Sequence, residues 1–258
     1  MKFRKIALVS ALSLTMALAA CSGDGSATDS TSNGGQSGEI TVFAAASLNA
    51  AFPEIAESVF AEEYPDVAVN FSFEGSSALV EKMTSGAQAD VFASANEANM
   101  DKAVEADLVN DPVELTKNTL RLIVPAGNPA GITDLESANA ANFVLCAPQV
   151  PCGAVSAELA KVKGMEFTPV SEEQSVTDVR TKVETGEADA GLVYLTDAML
   201  AGDGVDIVDV PGMTDVGTVY MIATLKEAPE ADLGQAFVDA VMSDAGQEIM
   251  ATYGFGDN

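Results

Sequence analysis

Eight short apolar runs recur along the chain, with segments of helical period between most of them, and this alternation narrows the fold more than any other feature. The runs are Ile40 to Phe43, Val67 to Phe73, Asp90 to Ala93, Leu120 to Val124, Phe143 to Cys146, Ala190 to Tyr194, Val205 to Val210 and Val219 to Thr224. Between them lie "LVEKMTSG", "MDKAVEADLV", "SAELAKVKG" and "VTDVRTKVETG". Strands alternating with helices predict an α/β fold with mainly parallel sheet. The stretch "LGQAFVDAVMSDAGQEIMATYGF", with Phe237, Val241 and Ile249 as its apolar marks, predicts a C-terminal helical pair. A length of 258 residues, 48% of them hydrophobic, suffices for one large domain or two small ones.

The first twenty residues stand apart. A basic "MKFRK" precedes the apolar "IALVSALSLTMALAA", too short for a comfortable membrane span, so residues 1–20 read as a secretory leader. The tetrapeptide "LAAC" resembles the lipobox of bacterial lipoproteins, which implies a lipid on Cys21 and attachment to the outer face of the cytoplasmic membrane. A plain cleavable signal peptide is the alternative. Residues 21–38 have almost no apolar side chain to bury and read as a flexible tether.

With Cys21 lipidated, the three cysteines leave the pair Cys146 and Cys152, and an exported, oxidising setting predicts a disulfide across "CAPQVPC". A zinc site would want more thiolate or imidazole ligands, and the chain has no histidine. The balance of 12 basic against 39 acidic residues gives a net charge of −27. Loss of Lys2, Arg4 and Lys5 with the leader takes it to −30. Such a surface argues against nucleic acid or anionic lipid as partner and favours solubility.

Ligands of open parallel sheets bind beyond the carboxyl ends of the strands. Ser47, in "TVFAAASLN", sits at such a corner, as helix cap or as part of an anion site. In "FEGSSALVEKM", Ser76 or Ser77 follows a glycine that lets backbone approach a ligand, or caps the helix begun by Leu79, Val80 and Met83. In "APQVPCGAVSAEL", Pro151, Cys152 and Gly153 offer backbone amides, or a simple turn. Ser175 to Asp178 fits a capping box, with Val176, Val179 and Val183 on one helical face and the Val176 amide at the helix start. Tyr194 ends a strand, either as packing or as a neutral donor. Uncharged groups of this kind suit a buried dianion.

The segments "ITVFAAASLNAAF", "FEGSSAL", "SGAQADVFASANEANMDKA", "VPCGAVSAELA", "VETGEADAGLVY" and the terminal "YGF", over about residues 39–256, resemble the molybdate-binding proteins of bacterial molybdate ABC transporters. The resemblance implies the two-lobed type II periplasmic-binding-protein fold, each lobe a mainly parallel sheet flanked by helices, with the ligand cleft between lobes. It places lobe 1 at residues 39–117 and 214–258 and lobe 2 at 118–213. It implies that Ser47, Ser76, the backbone amides of Cys152 and Val176, and the Tyr194 hydroxyl hold molybdate or tungstate, with molybdenum bound as the oxyanion and no protein atom on the metal. Three departures stand out: Cys152 in place of the family's alanine, Glu74 beside the Gly-Ser-Ser turn, and Pro53 inside the helix drawn from Leu48 through Phe52, Ile55 and Val59. The proline implies a kink, or a helix that starts only at Pro53.

The expected function is therefore a lipid-anchored, monomeric binding protein that needs no cofactor and passes molybdate and tungstate to a separate permease and ATPase. No P-loop motif is present to supply energy from within the chain. A binder of another oxyanion such as sulfate is the alternative, and a ligand sensor would share the site. Lack of histidine removes a Ser-His-Asp triad, so an enzyme is not expected.

Overall fold

The computed structural model describes residues 37–256. The expected leader, the lipid-bearing Cys21 and the tether up to residue 36 lie outside the described residues. Nine strands occur in chain order: β1 Gly38–Ala45, β2 Val67–Glu74, β3 Val91–Ser94, β4 Val113–Pro125, β5 Phe143–Cys146, β6 Ser171–Glu173, β7 Ala190–Tyr194, β8 Val205–Val208 and β9 Gly217–Thr224. Their order is β2-β1-β3-β9-β4-β7-β5-β6, with β8 also paired to β4.

The sheet contains two parallel triplets, β2-β1-β3 and β6-β5-β7. Antiparallel pairs are made by β4, β8 and β9, which join them. Apolar runs foretell burial, but they carry no direction, so these antiparallel crossings were not visible in the sequence. The triplet strands β3, β5 and β7 are wholly buried, as helices on both faces require. No helix among the described residues is long and apolar enough to cross a membrane.

Around Pro53 the structure differs from a single helix. A 3₁₀ turn, Ala46–Leu48, is followed by a separate helix from Ala51 to Ile55, a π segment at Ala56–Phe60, and a last α turn at Ala61–Glu63. Pro53 is the third residue of that helix, where its missing N–H has no intrahelical acceptor to lose. The π segment shifts the helical phase, so Phe60, and not the expected Val59, is fully buried. Phe60 packs edge-on against Phe237 of the C-terminal helix Ala231–Met242, which also meets Phe52 and Phe71. The final helix Asp244–Thr252 completes the expected pair and buries Met250, with Ile249 only partly covered.

A disulfide joins Cys146, the last residue of β5, to Cys152 in the first turn of helix Pro151–Lys163, with Cα atoms 5.7 Å apart. The loop folds back so tightly that a Cβ on Gly153 would overlap the carbonyl oxygen of Ala147. Gly153→Ala should therefore destabilise the protein by about 1–3 kcal/mol, read as a lower midpoint in urea unfolding with the disulfide intact.

Candidate functional site

All six strands of the two triplets direct their carboxyl ends to one place. Ala45, Ala46 and Ser47 come from the end of β1, Glu74, Gly75 and Ser76 from β2, and Ala95 from β3. Val150, Pro151 and Cys152 follow β5, Val176 follows β6, and Tyr194 ends β7. Together they line a cavity of about 10 Å³. Clefts for organic ligands run to about 300 Å³ and more, so this one is far too small for them. Ser47, Ser76, Cys152, Val176 and Tyr194 are thus brought together, and all five are buried.

Neither cavity serine is a helix cap. Ser47 lies inside the 3₁₀ turn, whose N-cap Ala45 offers no side-chain bond, and its hydroxyl oxygen lies 2.7 Å from that of Tyr220. Ser76 is the first residue of helix Ser76–Thr84, after Gly75, and its hydroxyl accepts the Ala95 amide at 3.0 Å. Ser175 does cap, accepting the Asp178 amide at 3.2 Å, and its hydroxyl lies 2.7 Å from the Asp178 carboxylate. That leaves Val176 as the first residue of its helix. Helices Ser76–Thr84 and Pro151–Lys163 begin without a side-chain cap, so no side chain takes their first amides. Three helix starts therefore turn partial positive charge toward the cavity.

The Tyr194 hydroxyl is buried without a hydrogen-bond partner of normal geometry. Thr218, whose side chain also acts on it, donates its own proton to the Ala95 carbonyl. Burial pushes the Tyr194 phenol well above its ordinary pKa, with Tyr220 and Asp197 adding to the shift, so it keeps its proton. Among the described residues lining the cavity, Glu74 carries the one charge. Its carboxylate is taken up by Lys82 and by the Ser72 hydroxyl at 3.0 Å, which removes most of its conflict with an anion. A Cβ on Gly75 would overlap the carbonyl oxygen of Gln174, so glycine lets the turn after β2 press against the loop before helix Val176–Glu184.

A polar layer behind the cavity escaped the sequence reading. Asn118 donates to the Thr196 hydroxyl at 2.9 Å and to Tyr220 at 3.5 Å, and all three residues are buried. Asn118 lies just before the apolar run that begins at Leu120, Thr196 just after the one that ends at Tyr194, and Tyr220 inside the last, and an isolated polar group beside or within such a run is their one visible signal. Further back, Asp197 is buried and its pKa is pushed up to about 7 by desolvation, against the pull of Arg180 at 3.9 Å.

An α/β fold whose parallel strand ends converge on one donor-rich cavity is the fold of the two-lobed type II periplasmic-binding-protein class. Residues 40–256 match the family described as bacterial extracellular solute-binding protein, and the chain belongs to that family. It is 42% identical over 251 residues to the molybdate-binding protein ModA of Mycobacterium tuberculosis, covering 96% of this chain and 95% of that one. Identity to ModA of Escherichia coli is 32% over 232 residues, 84% of this chain and 89% of that one. Among solved structures, the periplasmic molybdate-binding protein of Azotobacter vinelandii superposes with a TM-score of 0.71 at 19% identity, covering 84% of this chain and 98% of that one. The sulfate-binding protein SubI of Mycobacterium tuberculosis gives 0.70 at 18%, covering 84% and 86%.

Asp197 sets a pH dependence. Between its ordinary pKa of 3.8 and about 7, the folded protein holds a proton that the unfolded chain has released, so this group's contribution to stability falls as pH rises through that window. Unfolding free energies of Asp197→Asn and the unsubstituted chain, measured by urea titration from pH 4 to 8, should diverge in slope by up to about 1.4 kcal/mol per pH unit in that window.

Proposed function

We propose that this protein captures molybdate and tungstate outside the cytoplasmic membrane and hands them to the permease of an ABC importer, whose ATPase supplies the energy. The observation that carries the reading is the meeting of Ser47, Ser76, Tyr194 and the helix starts at Cys152 and Val176 around one small cavity. Kinship with the ModA proteins supports molybdate as the ion. The Tyr194 phenol, buried with no acceptor of its own, fits an oxyanion oxygen. A smaller tetrahedral ion would leave some of these donors unpaired, at about 1–3 kcal/mol each. Sulfate on the same scaffold is the second reading, favoured by the fold of SubI and by 26% identity to a sulfate-binding protein of Synechococcus elongatus.

Lobe 1 is assigned to residues 39–117 and 214–258 and lobe 2 to 118–213. This is supported by β4, which pairs with β9 up to Thr119 and with β7 from Leu120. The chain acts as a monomer anchored through a lipid on Cys21, and it binds without catalysing a reaction.

Isothermal titration of the purified chain should give one-to-one molybdate and tungstate binding with sulfate silent. The Ser47→Ala, Ser76→Ala double variant should bind molybdate about a hundredfold more weakly, or worse. Sulfate heat equal to that of molybdate would favour the second reading, and silence from all three anions would remove the oxyanion assignment. The net charge of −27 repels an incoming dianion over long range. Added salt screens charges beyond about 8 Å, so the stopped-flow association rate should rise with ionic strength. A falling rate would contradict that account.

A further inference from the structure

Tyr220 does not line the cavity, yet it is the partner of the first cavity serine. We propose that Tyr220, held by Asn118, is a positioning residue that turns the Ser47 hydroxyl proton toward the bound oxyanion. This deepens the oxyanion reading given above and rests on it.

The direction follows from the chemistry of each group. The Asn118 carbonyl oxygen accepts the Thr119 amide at 3.0 Å, which fixes the side-chain amide so that its nitrogen faces Thr196 and Tyr220. That nitrogen can only donate. Tyr220 receives from Asn118, and its phenolic proton is left for Ser47 Oγ, 2.7 Å away. A phenol is also the stronger donor and the poorer acceptor when paired with an aliphatic hydroxyl. Once Ser47 accepts from Tyr220, its single proton must leave in another direction, and Ser47 lines the cavity. Each donor in the series Asn118, Tyr220, Ser47 polarises the next in the same sense. Ser76 reaches the same condition through a backbone donor, the Ala95 amide. Ser47 has its donor in a side chain instead.

The Tyr220 ring is held edge-on by Phe255, with centroids 5.4 Å apart, and by Tyr194 at 6.0 Å. Phenylalanine keeps those contacts and removes only the hydroxyl, so Tyr220→Phe is the informative substitution.

The test is a double-mutant cycle on the purified full chain, titrated calorimetrically with sodium molybdate, with thermal midpoints as the check on folding. Tyr220→Phe should weaken molybdate binding by about three- to tenfold. If Tyr220 acts through Ser47, the Ser47→Ala, Tyr220→Phe double variant binds no more weakly than Ser47→Ala alone. Losses that simply multiply, or a Tyr220→Phe variant that binds like the unsubstituted chain, overturn the proposal. A second cycle, pairing Asn118→Ala with Ser47→Ala, reads the same relay from its other end and stands in should Tyr220→Phe fail to fold. Its losses too must fall short of multiplying. Failure of the oxyanion reading looks different, because the unsubstituted chain then gives no heat with any of the three anions.

Discussion

One strand has to serve two groups of strands, and the geometry of the site follows from how it does so. Residues 113–119 of β4 pair with β9, and residues 120–125 pair with β7 and β8. A backbone that changes partners risks leaving polar groups without one. Here the Thr119 amide at the changeover donates to the side chain of Asn118, so the switch is satisfied locally. Because the two parallel triplets lie on opposite sides of this joint, their carboxyl ends come to face one cavity. The same Asn118 then reaches Thr196 and Tyr220, so the residue that settles the changeover also orders the groups behind the site.

What the sequence disclosed, and what it hid, follows physical lines. The runs at Phe143–Cys146 and Ala190–Tyr194 became strands of the same span because buried parallel strands are continuous apolar segments with sharp ends. The three-residue β6, Ser171–Glu173, is polar and pairs only with β5, so burial left no mark on it. The first half of β4 reads "VELTKNT", with polar residues interleaved, and only its second half was visible as a strand. The π segment after Ile55 moved the buried position from Val59 to Phe60, a shift that a fixed helical period cannot register. Strand-end corners could be found because their residues, Ser47, Ser76 and Tyr194, combine turn chemistry with polar groups. Tyr220 could not, because its role depends on which strand lies beside it and not on its neighbours in sequence.

The cavity's neutrality is consistent with its burial. A buried lysine or arginine would have to shed its water whether or not an anion was present, at a cost of several kcal/mol. Amides at helix starts and hydroxyls are cheaper to enclose, and the backbone holds the amides in place without side-chain entropy to lose. The charge that the chain does carry, in great excess and of the wrong sign for an anion, is kept out of the lining except at Glu74, where Lys82 and Ser72 engage it.

A site lined, Glu74 apart, by neutral groups that can donate would also read the protonation of an oxyanion. Ser76 has its oxygen occupied by the Ala95 amide, and the buried Tyr194 phenol keeps its proton. Ser47, if Tyr220 donates to it, is in the same condition. A tetrahedral anion that still carries a proton would need an acceptor in the wall, where it would compete with the Ala95 amide for Ser76 Oγ and with Lys82 and Ser72 for Glu74. Discrimination between oxyanions would then rest on two separate quantities. The spacing of the helix starts would measure the size of the tetrahedron, and the direction of the hydroxyl protons whether it is fully ionised. The first is a property of the fold. The second would depend on single side chains behind the wall, so that a substitution at a residue that never meets the ligand would alter what the cavity accepts.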